Sequence, residues 1–405
     1  MAEKKFPSGF LWGAATASYQ VEGGIENTDW AQAARDGKVP PCGSACEHYT
    51  RFENDFDIAK SLGHNFHRFS VEWARIEPEE GRFDEREVEH YRNVLRALRV
   101  RGLEPSVTMW HFTLPLWFSE TGGFERSDSP KIFARYCAYV AGKLGDQCTH
   151  FTTINEPMVY AGKGFWEGLW PPFRENILRH LHVVSALAAA HRAAYKAMKK
   201  VRPEIQVGVT KHNIFFESNS NPFNIVLHVF IDWFWNHRFL QLIYGHQDFI
   251  GLNHYHHKKF GTTPRERAAA VRSDMGWELH HASLYHSLIA LKRYGLPVYV
   301  SENGLADAVD SRRTEFIKNA VRSVHRAISE GVPVKGYCYW SLLDNYEWAS
   351  GYGPRFGLVE IDYATQERRI RKSAYVYKQI CERNALLDPA VNVGDSLFSD
   401  TTRSS

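Results

Sequence analysis

The sequence lacks the features that mark several broad classes of protein. Its formal net charge is only +3 over 405 residues, with acidic and basic side chains interspersed, which argues against a nucleic-acid-binding stripe or an acidic tail. No apolar run is long enough to span a bilayer, and the N-terminal stretch MAEKKFPSGFLWGAA does not read as a signal peptide. We therefore expect a cytoplasmic protein with neither nucleic acid nor membrane as a partner.

Cysteine is scarce, and its spacing does not predict a metal site. The six residues are Cys42, Cys46, Cys137, Cys148, Cys338 and Cys381. Cys42 and Cys46 with His48 look like a fragment of a zinc site, but no second ligand pair follows at zinc spacing. We expect reduced, structural thiols, as is usual in the cytoplasm, and we predict no metal and no cofactor.

Aromatic residues, by contrast, are abundant, at 14% of the chain with 12 Trp. Tryptophan fills protein cores, and it also stacks on the apolar faces of sugar rings in carbohydrate-binding clefts. Composition alone does not choose between these roles. With 44% hydrophobic residues, the chain is long enough to bury a large core.

Strand-like runs alternate with amphipathic helical stretches along the chain. The predicted strands are Leu11–Ala15, Asn65–Ser70, Glu104–Trp110, Phe151–Asn155, Gln206–Lys211, Phe249–Asn253, Val298–Ser301 and Gly336–Trp340. Helices are predicted, among others, at Glu87–Arg101, Ser129–Leu144, Ile177–Lys200, Ser283–Tyr294 and Arg313–Glu330. This alternation predicts an α/β protein, a single-domain (β/α)8 TIM barrel over residues 1–387, with residues 388–405 as a flexible tail.

Polar side chains occur where the predicted strands end. They are Gln20 shortly after the first strand, then Arg68, His111, Asn155 with Glu156, Tyr255, Glu302 and Trp340. The carboxyl ends of barrel strands converge on the face that carries the active site. Strands that simply turn polar on leaving the core would explain one or two such residues. They poorly explain an amide, an Arg, a His and two Glu together.

Two of these residues are carboxylates at matching positions. Glu156 in TINEP ends the fourth predicted strand, and Glu302 in VYVSENG ends the seventh, on the roughly opposite side of the barrel. Carboxyl groups about 5–5.5 Å apart suit a retaining glycosidase, and about 6.5–9.5 Å apart an inverting one. In the retaining case one is the nucleophile, while the other donates a proton and then activates water.

Neighbouring residues predict which carboxylate has which role. Arg68 would hold one of them ionised, and Tyr255 would donate a hydrogen bond to the same group. Glu156 follows an apolar strand and has only the neutral Asn155 beside it, which should raise its pKa and suit a proton donor. Spacing alone leaves this assignment open.

Seven blocks of sequence, which follow one another along the chain, give a more specific indication of function. They are FPSGFLWGAATASYQVEGG (Phe6–Gly24), HRFSVEWARIEP (His67–Pro78), TMWHFTLPLWF (Thr108–Phe118), TINEP, DFIGLNHY (Asp248–Tyr255), VSENG and YWSLLDNYEWASGYGPRFGLVEIDY (Tyr339–Tyr363). In these blocks the chain resembles glycoside hydrolase family 1, the β-glucosidase and β-galactosidase family, over nearly its whole length. A lone NEP would be weak support, whereas seven blocks in order are specific.

The resemblance implies a retaining exo-β-glycosidase that forms a covalent glycosyl-enzyme, with Glu302 as nucleophile and Glu156 as acid/base. It implies that Arg68, Tyr255 and Asn253 support the nucleophile. The residues that it implies bind the sugar are Gln20, His111, Asn155, Trp340, Glu347 and Trp348.

The resemblance also implies a substrate class. Relatives that cleave 6-phosphorylated sugars lack the pair Glu347–Trp348, and a carboxylate there would repel a phosphate. Unphosphorylated β-D-glucosides, with β-galactosides and β-fucosides, are therefore the implied substrates. Thioglycoside-specific relatives carry Gln in place of the acid/base, and Glu156 argues against that specialisation.

The connection after the fifth strand is shorter than the family pattern. Asn221–Gly245, which leads almost directly into DFIGLNHY, is very apolar. One interpretation is a helix that covers the barrel. The other is a thinned wall with an exposed apolar patch or cavity, which would bind an apolar ligand or a partner. A less rimmed cleft would also accept varied aglycones.

Histidines cluster in the following segment, at His254, His256, His257, His280, His281 and His286. Metal binding is one interpretation, but the implied mechanism needs no metal. We therefore predict solvated loop histidines.

Two other functions stay open alongside the main one. The first is a β-glycosidase dominated by transglycosylation, which depends on how acceptor and water compete. The second is a non-catalytic sugar-binding relative, which the presence of both Glu156 and Glu302 argues against.

Overall fold

The computed structural model describes residues 2–388, and fourteen strands occur within them. In chain order they are β1 (Ala2–Lys5), β2 (Leu11–Ala15), β3 (Phe66–Ser70), β4 (Glu104–Trp110), β5 (His150–Asn155), β6 (Gln206–His212), β7 (Phe215–Ser218), β8 (Phe249–Asn253), β9 (His257–Phe260), β10 (Val298–Asn303), β11 (Val334–Trp340), β12 (Val359–Asp362), β13 (Glu367–Ile370) and β14 (Ala385–Asp388).

Eight of these strands close into one parallel barrel. Its order is β10–β11–β2–β3–β4–β5–β6–β8, with β8 returning to β10. The strands are buried almost throughout, as expected of parallel strands that are covered on both faces. The predicted (β/α)8 barrel is confirmed, and each predicted strand end lies within two residues of the observed one.

The helices surround the barrel. In chain order they are α1 (Ser18–Val21), α2 (Asp29–Arg35), α3 (His48–Ser61), α4 (Trp73–Ile76), α5 (Glu85–Val100), α6 (Leu116–Glu120), α7 (Ser129–Leu144), α8 (Pro157–Phe165), α9 (Ile177–Val201), α10 (Pro222–Asp232), α11 (Arg238–Leu242), α12 (Pro264–Ala269), α13 (Ser283–Leu291), α14 (Arg313–Ser329) and α15 (Lys372–Arg383). Short 3₁₀ turns occupy Gly123–Glu125, Lys292–Tyr294 and Trp348–Ser350, and a π-helical turn occupies Trp233–His237.

Local sequence explains why these helices form and how they pack. In α5, Val88, Tyr91, Leu95 and Leu98 recur at three- and four-residue steps and are buried. Asp84 caps the helix by accepting a hydrogen bond from the backbone N–H of Arg86 at 2.9 Å. None of the helices in residues 2–388 combines the length and the apolar character that crossing a bilayer requires.

The connection between β6 and β8 leaves apolar side chains exposed. The connection consists of β7, α10, the π-helical turn and α11. Phe239 and Leu240 of α11 are buried in the core, whereas no residue of α10 is buried. The exposed apolar side chains, which we call the α10 face, are Phe223, Ile225, Val226, Val229, Phe230 and Trp233, between 40% and 74% exposed. The interpretation of residues 221–245 as one helix that covers the barrel is therefore wrong for α10. The apolar side chains of the α10 face instead form an exposed patch.

Two further expectations concern single segments. The prediction of solvated loop histidines is wrong for His254 and His257, which are buried. His254 directly follows β8 and its ring contacts the carbonyl of Asn213 and the hydroxyl of Ser283, and His257 begins β9. The predicted tail lies outside the described residues except for Asp388, which pairs with Ala2 in an antiparallel ladder.

Candidate active site

A cleft of about 680 Å³ opens at the carboxyl ends of the barrel strands. Nine of the eleven site residues predicted from sequence line it: Gln20, His111, Asn155, Glu156, Tyr255, Glu302, Trp340, Glu347 and Trp348. The other two, Arg68 and Asn253, are buried beneath and contact the lining residues through hydrogen bonds.

The barrel register brings these side chains together. Glu302 is the ladder partner of Asn253, and Asn155 is the partner of Thr210. Glu156 follows β5 in a left-handed backbone conformation with φ of 45°, where its N–H bonds Thr210 at 2.9 Å. Such a conformation costs about 1–3 kcal/mol and is typical of functional positions. It turns the side chain of Glu156 out of the strand and into the cleft.

Glu302 is held by two donors. Arg68 forms a buried ion pair with Oε1, and the hydroxyl of Tyr255 donates to Oε2 at 2.6 Å. Arg68 and Glu302 are only 2% and 4% exposed, so water screens the pair weakly. Both contacts stabilise negative charge on Glu302 and fix the orientation of its carboxylate.

Glu156 has a different environment. Burial and the nearby charge of Glu302 raise the pKa of Glu156 to about 8, although a hydrogen bond from Asn253 and the charges of Arg68 and Lys211 oppose the rise. Burial and the charge of Glu302 therefore favour the protonated form of Glu156. One carboxyl group is stabilised as an anion and the other retains a proton, which are the two states that acid-assisted displacement at carbon requires.

The structure places Asn253 differently from the grouping implied by the resemblance. Its amide Nδ2 donates to Oε1 of Glu156 at 2.6 Å, while its Oδ1 accepts from the hydroxyl of Ser301 at 2.9 Å. Side-chain contacts thus join Asn253 to the proton-carrying glutamate. Only its backbone is paired with Glu302.

Arg68 also sets the hydrogen-bonding direction of two sugar-binding candidates. Its Nη2 donates to Oδ1 of Asn155 at 2.7 Å, so Nδ2 of Asn155 faces Nε2 of His111 at 3.1 Å. Burial and the charge of Arg68 hold the pKa of His111 well below its ordinary value, so the ring is neutral. Since Nε2 accepts a hydrogen bond, the proton of His111 resides on Nδ1. Nδ1 has no hydrogen-bond partner in the described part of the chain and can donate to a ligand.

Two more polar atoms at the cleft have no hydrogen-bond partner among residues 2–388. Gln20 donates its amide N–H groups to Asn345 and to the carbonyl of Tyr346, which leaves Oε1 unpaired. Oε2 of Glu347 is buried and unpaired, and burial with the charge of Glu302 raises the pKa of Glu347 to about 8. Unpaired buried polar atoms around a cleft suit a ligand that carries several hydroxyl groups.

Aromatic rings form the apolar part of the cleft. The rings of Trp340 and His111 are nearly parallel, with centroids 6.1 Å apart, and Trp348 stacks on Tyr19 at 6.0 Å. A planar apolar surface beside directed polar groups matches a sugar ring, which has apolar faces and a polar rim.

Sequence reasoning missed several lining or supporting residues. Lys211, in β6, is fully buried, donates to the carbonyl of Trp235 at 2.8 Å and acts electrostatically on Glu156. The signal for Lys211 in the sequence is a lysine that directly follows the strand-like run VGVT, residues 207–210. Trp235, in the π-helical turn, and Trp277, in the segment before α13, line the outer cleft, and periodicity predicts neither placement.

Metal-binding side chains do not converge in this cleft. Among residues 2–388, the one group of three His, Cys, Asp or Glu side chains arranged around a common point is Glu217, His257 and His280. None of the three lines the cleft.

Comparison with known proteins gives the relationships of the chain. The sequence model of glycosyl hydrolase family 1 matches residues 2–227 and 232–386, so the interruption falls in α10. Beta-glucosidase A of Thermotoga maritima is 34% identical over an alignment of 446 residues that covers 96% of this chain and 100% of the relative. The β-galactosidase of Pyrococcus woesei is 30% identical, over 94% of this chain and 98% of its own.

Solved structures agree with these sequence relationships. The β-glycosidase of Pyrococcus horikoshii superposes with a TM-score of 0.90 at 37% identity and covers 96% of this chain and 97% of its own. The family 1 β-glucosidase of Thermotoga maritima in complex with isofagomine lactam gives a TM-score of 0.90 at 32% identity, over 95% of this chain and 100% of its own.

Proposed function

The chain belongs to glycosyl hydrolase family 1 and is a β-glycosidase, and we propose that it removes terminal sugars from unphosphorylated β-D-glucosides with retention of configuration. The observation that carries this proposal is the unequal treatment of two carboxyl groups in one cleft. Arg68 and Tyr255 contact both oxygens of Glu302 and stabilise its anion, whereas burial and the charge of Glu302 favour the protonated form of Glu156.

In the first step, Glu302 attacks the anomeric carbon and forms an ester bond to the sugar. The glycosidic bond breaks, and its electron pair goes to the leaving oxygen, which takes the proton of Glu156. The negative charge leaves Glu302 in this step and appears on Glu156.

In the second step, Glu156 removes a proton from a water molecule, and the water oxygen attacks the anomeric carbon. The ester bond breaks, and its electron pair returns to Glu302. Arg68 and Tyr255 are already in place to stabilise the returning charge, so little reorganisation is required. Two inversions give net retention.

The sugar would bind through the unpaired groups of the cleft. His111 supplies a donor at Nδ1, Gln20 an acceptor at Oε1, and Glu347 a carboxyl oxygen. Trp340 and Trp348 supply the apolar surface. Arg68 holds the side chain of Asn155, which also lines the cleft, within reach of the bound sugar ring. A phosphate would need cationic or N–H donors, and a buried carboxyl group at Glu347 favours a hydroxyl instead.

The names of the relatives and this set of groups support the expected sugar specificity. Relatives of this chain are named β-glucosidase and β-galactosidase. We expect β-glucosides as the main substrates, with β-galactosides and β-fucosides as further ones.

A panel of nitrophenyl glycosides, with cellobiose and lactose, tests the substrate class. NMR of the first product tests the mechanism. The β-anomer of the free sugar should form first and mutarotate later, whereas initial α-anomer would contradict retention. Hydrolysis of only 6-phosphorylated glycosides would contradict the role given to Glu347.

Transglycosylation is the second candidate, and the outer cleft favours it. Trp235, Trp277 and Ile214 line this region and would retain an apolar alcohol beside the glycosyl-enzyme. Product analysis with added alcohol separates the two activities. A dominant alkyl glycoside at low alcohol concentration supports transfer, and free sugar alone supports hydrolysis.

Three further proposals concern the chain as a whole. Residues 1–387 would act as one catalytic unit. A reducing, cytoplasmic setting fits the six buried cysteines, none of which forms a disulfide. The exposed α10 face supports the prediction of an apolar ligand or partner at this wall, which stays a prediction.

A further inference from the structure

Three side chains outside the cleft bring metal-binding atoms together. Glu217 lies in β7, His257 begins the neighbouring strand β9, and His280 precedes α13. One ligand atom from each lies within 4.8 Å of the other two. We propose that this trio binds a zinc ion. The proposed chemistry of the cleft does not depend on it.

The backbone already aligns two of the three ligands. In the β7–β9 ladder, Phe215 pairs with His257, so both side chains project from the same face of the two-stranded sheet. Glu217 follows two residues after Phe215 and shares that face, because successive side chains alternate. The sheet therefore presents a carboxylate beside an imidazole without further adjustment.

The distances approach those of a zinc site. Tetrahedral zinc with bonds of about 2.0–2.1 Å to nitrogen and oxygen holds its ligand atoms about 3.3–3.4 Å apart. Nε2 of His257 lies 3.4 Å from Oε2 of Glu217, and Nε2 of His280 lies 4.0 Å from the same oxygen. Oε1 of Glu278, at 3.9 Å from Nε2 of His257, is placed for a fourth position. Small side-chain movements would complete the site.

The surroundings restrict the two imidazole rings. Phe215 packs against His257 and His280, with ring centroids 6.2 Å and 5.6 Å away, and His286 stacks on Phe215 at 4.4 Å. His257 is buried, while Glu217 and His280 are half-buried, so the ligands are ordered yet reachable from solvent. Two imidazoles with a carboxylate select zinc over magnesium or calcium, which prefer all-oxygen ligands.

An ion here would connect two parts of the cleft wall. His257 follows Tyr255 and His256, and His280 follows Trp277, which lines the outer cleft. The ring of Trp277 already stacks on His256 with centroids 5.1 Å apart. Zinc would add a cross-link between β9 and the segment of residues 273–282. Its role would be structural, since none of its ligands lines the cleft.

The test is zinc binding by the full chain after any affinity tag has been removed. The protein is stripped with a chelator, equilibrated with micromolar zinc, and analysed by equilibrium dialysis with elemental analysis. We expect one zinc per chain. Glu217→Gln and His280→Asn should each weaken binding by about tenfold or more, because each removes one ligand. His281→Ala is the matched control, since this exposed neighbour lies outside the trio.

Thermal unfolding separates zinc binding from loss of fold. Zinc should raise the Tm of the unchanged chain and of His281→Ala, and should raise the Tm of Glu217→Gln by clearly less at the same zinc concentration. Hydrolysis of a nitrophenyl glucoside by metal-free Glu217→Gln should match that of the metal-free parent. An adventitious ion only, seen as substoichiometric zinc or as equal affinity in all variants, would overturn the proposal. So would a Tm that zinc does not change, which would leave Glu217 as the hydrogen-bond acceptor of His257.

Discussion

The side-chain amide of Asn253 lies 2.6 Å from Oε1 of Glu156, the carboxyl group that we propose as the acid/base. Asn253 is itself the strand partner of Glu302 and is oriented by the hydroxyl of Ser301, at 2.9 Å. The proton donor is thus positioned from the strand beside the nucleophile. A shift of β8 relative to β10 would therefore disturb both carboxyl groups together.

Glu302→Ala should remove the nucleophile and reduce turnover by about 10⁴-fold or more. Added azide or formate should restore part of the activity and give a product of inverted configuration, because the small anion occupies the space of the carboxylate. Activity is measured on an activated aryl glucoside and the product by NMR. Unchanged activity without azide would contradict the assignment.

Glu156→Ala should affect substrates according to their leaving groups. General acid catalysis contributes about 10²–10⁴-fold, and only poor leaving groups require it for cleavage. Steady-state rates for alkyl and dinitrophenyl glucosides should show a much larger loss of kcat/KM for the alkyl compound. Equal losses on both would count against a proton-donor role.

The pH dependence of kcat/KM should report the protonation of Glu156. Glu156 must hold its proton to assist departure, so activity should fall as the pH rises through its pKa, about 8. The charged groups that act on it are Glu302, which raises this pKa, and Arg68 and Lys211, which lower it. Loss of a cation should therefore move the basic limb to higher pH.

The variant Lys211→Met removes one of the two cations that lower the pKa of Glu156. We expect an upward shift of less than about one pH unit, because burial lowers the pKa of Lys211 to about 7 and the lysine is only partly charged there. Lys163→Met is the control, since Lys163 lines the outer cleft, is paired with Glu167 and is partly exposed. A limb that stays in place or moves to lower pH in Lys211→Met would contradict the electrostatic link.

The α10 face should bind apolar probes without contributing to stability. The combined variant Phe223→Ser, Val226→Ser and Phe230→Ser should bind less of a fluorescent apolar dye. Each exposed substitution should change the free energy of unfolding by no more than about 0.5 kcal/mol. Phe239→Ser, in the buried part of the same connection, should instead destabilise by about 3–5 kcal/mol. Strong destabilisation of the triple variant would mean that α10 is covered in solution.

The fold was predictable because its signals are local and repeated. Apolar runs such as those around Phe249 and Val298 are bounded by breakers, and amphipathic helices fill the intervals, so eight units are countable from sequence. Closure of the barrel then brings the strand ends together, independently of the conformations of the loops. Contacts of Arg68 and Tyr255 with Glu302 follow from that convergence.

Other features depend on register and tertiary packing, which sequence patterns do not encode. Whether Asn253 meets Glu156 or Glu302 depends on a stagger of one strand against its neighbour. The burial of His257 depends on β7, a short strand that was not predicted. The exposure of α10 is not predictable from sequence, because an apolar helix has the same pattern whether or not another element covers it.

The fork of Arg68 has a consequence for selectivity. One nitrogen contacts Glu302, and the other fixes the amide of Asn155, which in turn fixes the proton of His111 on Nδ1. The cation that prepares the reaction thus also dictates the polarity of hydrogen bonds that a sugar encounters. One guanidinium group therefore couples reactivity to recognition. A substitution at Arg68 that changes the nucleophile also changes which orientations of the sugar hydroxyl groups the cleft accepts.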